Sequence, residues 1–168
     1  DPFLVYFPMI LPHNPFHVTP DSKDPHSADA KKNFIDMVQY IDKNVGRLED
    51  TLTSLGLREK TLIIFTSDNG TNAQLTSELN GQPVQGGKGY THDYGTHVPL
   101  IVNWPGQIQG GRVMKDLICF SDIFPTMVDA AQLPAKQIND GDGWSFWPQC
   151  KDKPGRARDW IYCYYFPR

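Results

Sequence analysis

The chain is 168 residues long, 39% hydrophobic and 12% aromatic, a composition that suits a single folded domain able to bury a core. A formal charge of −3, with no basic stripe interleaved with aromatics, argues against a nucleic-acid-binding surface. No apolar run approaches the ~20 residues that span a bilayer, and the chain opens on Asp1-Pro2 and passes directly into an apolar run without a signal-peptide pattern, as a segment cut from the middle of something longer would.

Phe3 to Met9 predicts a first strand, stopped by Pro8 and Pro12. The stretch from Leu11 to Pro25 is rich in Pro, His and Asp and reads as loop. From Ser27 to Leu55, Phe34, Met37, Val38, Ile41, Val45, Leu48, Leu52 and Leu55 recur at helical spacing, which predicts a long amphipathic helix. Gly56 supplies its stop. A strand then begins at Thr61, and its run Leu62-Ile63-Ile64-Phe65 is short, continuous and apolar, as in the buried strand of a parallel sheet. Strand, helix and strand in that order predict a βαβ unit with the two strands parallel.

Residues 71–97 read as a long glycine-rich loop, and loops of that length in compact domains usually carry function. A third strand is predicted from Val98 to Trp104, ending at Pro105-Gly106. A helix starts at Ser121 or Asp122 and runs to about Ala131, with Pro125 tolerated in its first turn. Residues 134–158 are irregular, and a last strand from Trp160 to Tyr165 stops at Pro167. The fold class expected is α/β. Cys119, Cys150 and Cys163 form neither a CxxC pair nor a metal spacing, and their odd number excludes a fully paired disulfide framework. Cys119 and Cys163 lie in apolar runs and are expected to be buried.

Chemistry is expected where the strand at Thr61 ends. In open α/β sheets, ligands sit beyond the carboxyl ends of the strands, which is where Ser67-Asp68-Asn69-Gly70 falls. A carboxylate beside an amide carbonyl offers hard oxygen ligands to a cation such as Ca²⁺ or Mg²⁺; the same residues are also ordinary turn formers. His13 follows the first strand, and Lys88 stands between glycines in Gln85-Gly86-Gly87-Lys88-Gly89. A cation, a lysine and a histidine together suit an anionic ester: two neutralise oxyanions, and the imidazole can protonate a leaving oxygen. Taken singly, His13 reads more readily as a loop-packing or surface histidine, and the Gly-Gly-Lys-Gly run more readily as a flexible loop than as an anion site.

Together these residues resemble the C-terminal portion of the sulfatase (arylsulfatase) family, within the alkaline-phosphatase-like superfamily. The resemblance is carried, in order, by PFLVYFPMILPHNPF, MVQYIDKNVGRLEDTLTSLGLREKTLIIFTSDNGT, GGKGYTHDYGTHVPLIVNWPGQI, SDIFPTMVDAAQLP and DGDGWSF. It implies part of an alkaline-phosphatase-like sheet of mostly parallel strands with packed helices, one partial catalytic domain over residues 1–168. It also implies that Asp68 and Asn69 ligate a divalent cation, usually Ca²⁺, that Lys88 and His13 contact the sulfate, and that His13 is a candidate proton donor to the leaving alcohol. The substrate class implied is a sulfated small molecule or glycan, and the compartment periplasmic, lysosomal or extracellular.

The chain departs from the family pattern in two respects. His97 stands where many sulfatases carry arginine, a subfamily variation that is given no catalytic role; His92 and Asp93 on the same loop are weaker candidates for substrate contact. The family's nucleophile, a formylglycine made from the cysteine or serine of a C-x-P-S-R motif, has no counterpart here, because none of the three cysteines has such a context. The paired aspartates that complete the family's cation site are missing as well. The chain therefore reads as an internal piece of a sulfatase, expected to be inactive alone and to associate with itself through an unpaired sheet edge. Two alternatives remain open: a phosphoester or phosphonate hydrolase of the same superfamily, and a non-catalytic interaction module derived from a sulfatase.

Overall fold

The computed structural model describes residues 1–134 and 141–166; part of the irregular stretch and Pro167 lie outside them. Helices and strands are mixed along the chain, consistent with an α/β fold. The chain divides into two compact units, Asp1–Gly56 with Asp68–Val98, and Leu57–Ser67 with Pro99–Arg168.

The first unit is built on helix α1, Ala30–Ser54. Asp29 caps it, its carboxylate accepting from the Lys32 amide at 3.0 Å. Gly56, with φ of +66°, takes the left-handed conformation that ends the helix just after Leu55. Of the predicted apolar stripe, Met37, Ile41 and Leu52 are buried, while Val38, Leu48 and Leu55 are exposed. The loop after His13 is tied to α1 by Asn33, whose buried amide donates to the carbonyls of Phe16 and Ser27, both at 3.0 Å. The Phe16 ring stands edge-on to Phe34, centroids 5.6 Å apart. Residues 3–9 form no strand, and 3–8 are exposed, because no described segment offers them a ladder partner.

The rest of this unit corrects the reading of residues 71–97 as a plain loop. Strands β2, Thr76–Leu79, and β3, Gln82–Gln85, form an antiparallel hairpin with Thr76 opposite Gln85. Asn80 and Gly81 turn it with φ of 52° and 75°, the pair of positive values that a two-residue type I′ turn requires. A single helical turn, α2, follows at Asp93–Thr96.

In the second unit a 3₁₀ turn, Arg58–Lys60, leads into β1, Ile63–Thr66, which pairs with β4, Leu100–Asn103. The pairing is antiparallel, Ile63 opposite Asn103 and Thr66 opposite Leu100. The mostly parallel sheet expected from the sequence is thus not found among the described residues. The parallel partner expected for β1 is the segment 3–9, which forms no strand, so among the described residues β1 has β4 as its neighbour. The strand predicted at Trp160–Tyr165 is also absent.

Helix α3, Ile123–Ala130, and the short α4, Trp147–Cys150, pack around Asp122 and Thr126. Thr126 is fully buried; its hydroxyl donates to the Asp122 carbonyl at 2.7 Å and accepts from the Phe146 amide at 3.0 Å. The cysteines fall otherwise than expected: Cys150 is buried, Cys119 is half-buried, and Cys163 is exposed. Cys163 lies in the segment that forms no strand and so gains no cover. No described helix is long and apolar enough to cross a membrane.

Candidate functional site

Asp68, Asn69, Lys88 and His13 all belong to the first unit. Asp68 is exposed, two residues beyond β1 in the chain, and its carboxylate has no hydrogen-bond partner among the described residues; Asn69 is half-buried. The turn they occupy is interlocked with the lysine loop through the backbone. The Lys88 amide donates to the Thr71 carbonyl at 2.9 Å, and the Gly70 amide donates to the Gly95 carbonyl at 2.9 Å. The Gly86 amide donates to Leu75 at 2.8 Å, and the Tyr90 amide to Gly87 at 2.9 Å.

Glycines make this closeness possible. A Cβ on Gly70 would collide with the Tyr94 carbonyl, and one on Gly86 with the carbonyls of Thr71 and Asn72. At Gly87 it would meet the His92 ring and the Tyr94–Gly95 backbone, and at Gly95 the carbonyls of Tyr90 and Gly87. Backbone is in the way in each case, and backbone cannot rotate aside as a side chain can. The structure therefore brings the Asp68-Asn69 turn and the Lys88 loop together as one interlocked piece.

His13 is held separately. Its amide donates to the Ile10 carbonyl at 3.0 Å, and its Nδ1 lies 2.5 Å from the Asn14 carbonyl oxygen. A carbonyl only accepts, so Nδ1 carries a proton and Nε2 is the face left for chemistry. No hydrogen bond or ring contact joins His13 to Asp68 or to Lys88 among the described residues.

Three features were not anticipated from the sequence. Asn33 anchors the segment after His13, and nothing in its neighbourhood marks it apart from an ordinary helical surface residue. The glycine interlock was foreshadowed only by Gly86-Gly87. The third is a row of rings: His92 stacks on Tyr90, centroids 5.4 Å apart and planes at 12°, and meets Tyr94 edge-on at 5.9 Å.

A shallow cleft of about 570 Å³, lined by Arg112, Lys115, Gln149 and Lys153 among others, lies in the second unit and holds none of the candidate residues. That unit's own polar centre is Asp122. Its Oδ1 accepts from the Trp144 amide at 2.7 Å and from Arg158 at 2.5 Å. Its Oδ2 accepts from the Cys119 amide at 2.8 Å and from Arg158 Nε at 2.9 Å. Burial pushes the carboxyl pKa up, but the Arg158 fork and the two amides outweigh it and hold it below the usual carboxylate value. With every lone pair engaged, Asp122 is structural.

The sulfatase family model matches residues 1–133, most of the chain. The chain belongs to the sulfatase family. Sulfate-ester hydrolysis is the activity that unites this family. The sulfatase chain is 33% identical over 171 aligned residues to the uncharacterized sulfatase YdeN of Escherichia coli (strain K12), covering 97% of its own length and 30% of that relative. It is 31% identical to steryl-sulfatase of Mus musculus, over 83% of itself and 23% of that protein. Among solved structures, Ps i-CgsB in complex with k-i-k-neocarrahexaose superposes with a TM-score of 0.67 at 28% identity, over 82% of this chain and 31% of that one. The chain thus spans about a third or less of the length of the sulfatases it matches.

Proposed function

We propose that the polypeptide carrying this chain hydrolyses sulfate esters and that this chain supplies one side of the site. The observation that carries the reading is the interlock between the Asp68-Asn69 turn and the Gly86-Gly87-Lys88 loop. It holds a carboxylate, an amide and an ammonium on neighbouring, rigidly joined backbone, an arrangement suited to a small dense anion. The names of the matched relatives, steryl-sulfatase among them, and the oligosaccharide bound to Ps i-CgsB support a substrate in which the sulfate is carried on a ring, small molecule or glycan.

The donors present fit a divalent cation in kind. Asp68 offers an exposed carboxylate with no competing partner among the described residues, and Asn69 a neutral amide oxygen. They do not fit it in number, since calcium takes about six to eight oxygens, and no group of three or more His, Cys, Asp or Glu is placed for a metal among the described residues. The remaining ligands are therefore assigned to the rest of the parent polypeptide. When bound, the cation would neutralise part of the sulfate's charge.

Lys88 adds a second positive charge at the sulfate, its backbone positioned by the hydrogen bond that its amide donates to the Thr71 carbonyl. His13 is the group suited to the leaving alcohol. With Nδ1–H committed to the Asn14 carbonyl, the imidazolium form carries its transferable proton on Nε2. As the nucleophile supplied by the rest of the polypeptide bonds to sulfur, the S–O ester bond breaks and its electron pair goes to the leaving oxygen, which takes the Nε2 proton of His13 and leaves the imidazole neutral. The attacking nucleophile, a formylglycine by the family resemblance, has no counterpart in this sequence, so the isolated chain is expected to be inactive.

The test is turnover of 4-nitrophenyl sulfate and 4-nitrophenyl phosphate by the full-length polypeptide. Sulfate ester is expected to be the preferred substrate, and Asp68→Ala or Lys88→Ala is expected to lower kcat/KM at least about 100-fold. Chelation should abolish turnover and added Ca²⁺ restore it. Preference for the phosphate ester, or full activity in the Lys88→Ala protein, would rule the reading out.

A further inference from the structure

We infer that Tyr90, His92 and Tyr94 form an aromatic platform that receives the ring bearing the sulfate group, making them specificity-determining residues of the site. The inference rests on the sulfatase reading and extends it from the anion to the group that carries the anion.

Three observations support it. The first is arrangement: His92 lies stacked on Tyr90 and edge-on to Tyr94, so the three rings brace one another. The second is exposure. Tyr90 and Tyr94 are 60% and 54% exposed, an uncommon state for large rings already organised into a cluster. The third is attachment to both halves of the candidate site. The Tyr90 amide bonds to the Gly87 carbonyl, one residue from Lys88, and the His92 ring lies over Gly87. At the other end the Tyr94 carbonyl abuts Gly70, one residue from Asn69. A surface braced in this way loses little conformational freedom on binding, which favours affinity.

The chemistry names the occupant. A six-membered ring, whether a pyranose presenting its C–H face or an aryl ring, packs on the π-face of tyrosine. The two phenol hydroxyls can donate to and accept from ring substituents. An acyclic alkyl sulfate offers the same anion to Lys88 but nothing flat to the rings. The platform therefore predicts a preference for cyclic over acyclic sulfate esters that resides in Tyr90 and Tyr94, not in Lys88.

The experiment uses the full-length polypeptide with three probes: a pyranose 6-sulfate, 4-nitrophenyl sulfate and n-octyl sulfate. Tyr90→Ala is expected to reduce the ratio of cyclic to acyclic kcat/KM about tenfold, mainly through KM, with Tyr90→Phe retaining the ratio to within about a factor of two. Tyr94→Ala, a change at the other end of the row, should act in the same direction. Loss confined to the pyranose probe identifies a carbohydrate ring as the occupant, and loss on both cyclic probes identifies ring stacking in general. An unchanged ratio in both alanine variants, with sulfate release intact, overturns the platform alone. Absence of sulfate release from all three probes by the unaltered polypeptide overturns the sulfatase reading and the platform with it.

Discussion

Asp122 is 2% exposed, with both carboxylate oxygens doubly hydrogen-bonded, whereas Asp68 is exposed and its carboxylate has no such partners among the described residues. The same functional group therefore does opposite work at the two positions. At Asp122 the negative charge and the Arg158 fork neutralise each other away from water, and removing one leaves the other uncompensated. Asp122→Ala is expected to destabilise the second unit by about 3–5 kcal/mol, read from urea unfolding monitored by tryptophan fluorescence. The pH dependence has a definite sign. Because the folded-state pKa lies below the ordinary carboxylate value, the contribution is complete above that value. It is lost as pH falls through the folded-state pKa. Acid unfolding of the unaltered chain should therefore lie below the ordinary carboxylate range, and an Asp122→Asn chain should have lost that part of its acid dependence.

At the scale of elements, glycines separate into those that a helix tolerates and those that the site requires. Gly46 sits inside α1 with open space where a Cβ would be, so Gly46→Ala is expected to stabilise the helix by about 0.5–1 kcal/mol. Gly87→Ala should do the reverse, since its Cβ would strike the His92 ring and the backbone of Tyr94 and Gly95. The loop must then open, displacing Lys88 from the Asp68-Asn69 turn. Amide hydrogen exchange at Gly70 and Lys88 is expected to accelerate in that variant; unchanged protection there would show that the interlock does not depend on Gly87.

Helices α1 and α3 and strands β1 and β4 were legible in the sequence, and the reasons are local. Helix α1 follows from the recurrence of Met37, Ile41 and Leu52 and from the caps at Asp29 and Gly56. The hairpin at Asn80-Gly81 carried its signal too, but Thr76-Ser77-Glu78-Leu79 and Gln82-Pro83-Val84-Gln85 lack the alternation that marks flanking strands. The antiparallel pairing of β1 with β4 was not legible, because apolar runs reveal burial but not the direction of a neighbour. The expected strands at Phe3–Met9 and Trp160–Tyr165 failed for a different reason: a strand exists only through its ladder, and composition alone cannot supply the partner.

For the whole molecule, those two segments matter most. Leu4 and Tyr6 are 72% and 85% exposed, and Trp160, Tyr162, Tyr164 and Phe166 are exposed as well. Apolar chain left extended, with its backbone donors and acceptors unpaired, is a template for association. The isolated 168-residue chain is expected to self-associate in solution, as light scattering coupled to size-exclusion chromatography would show. A monodisperse monomer at micromolar concentration would refute this.

The amino-acid sequence by itself determined the family, because order and spacing of the Asp68-Asn69, Gly86-Gly87-Lys88 and following segments are linear properties of a chain. It also singled out the charged and amide groups that suit a sulfate, since those depend on residue type. Only the tertiary structure decided how they are joined. The interlock of Gly70 with Gly95 and of Lys88 with Thr71 and the anchoring of the His13 segment by Asn33 are non-local contacts, whereas the row of Tyr90, His92 and Tyr94 joins alternate residues of one loop. The non-local contacts arise from close packing of backbone segments that are distant in sequence, and no local pattern encodes them.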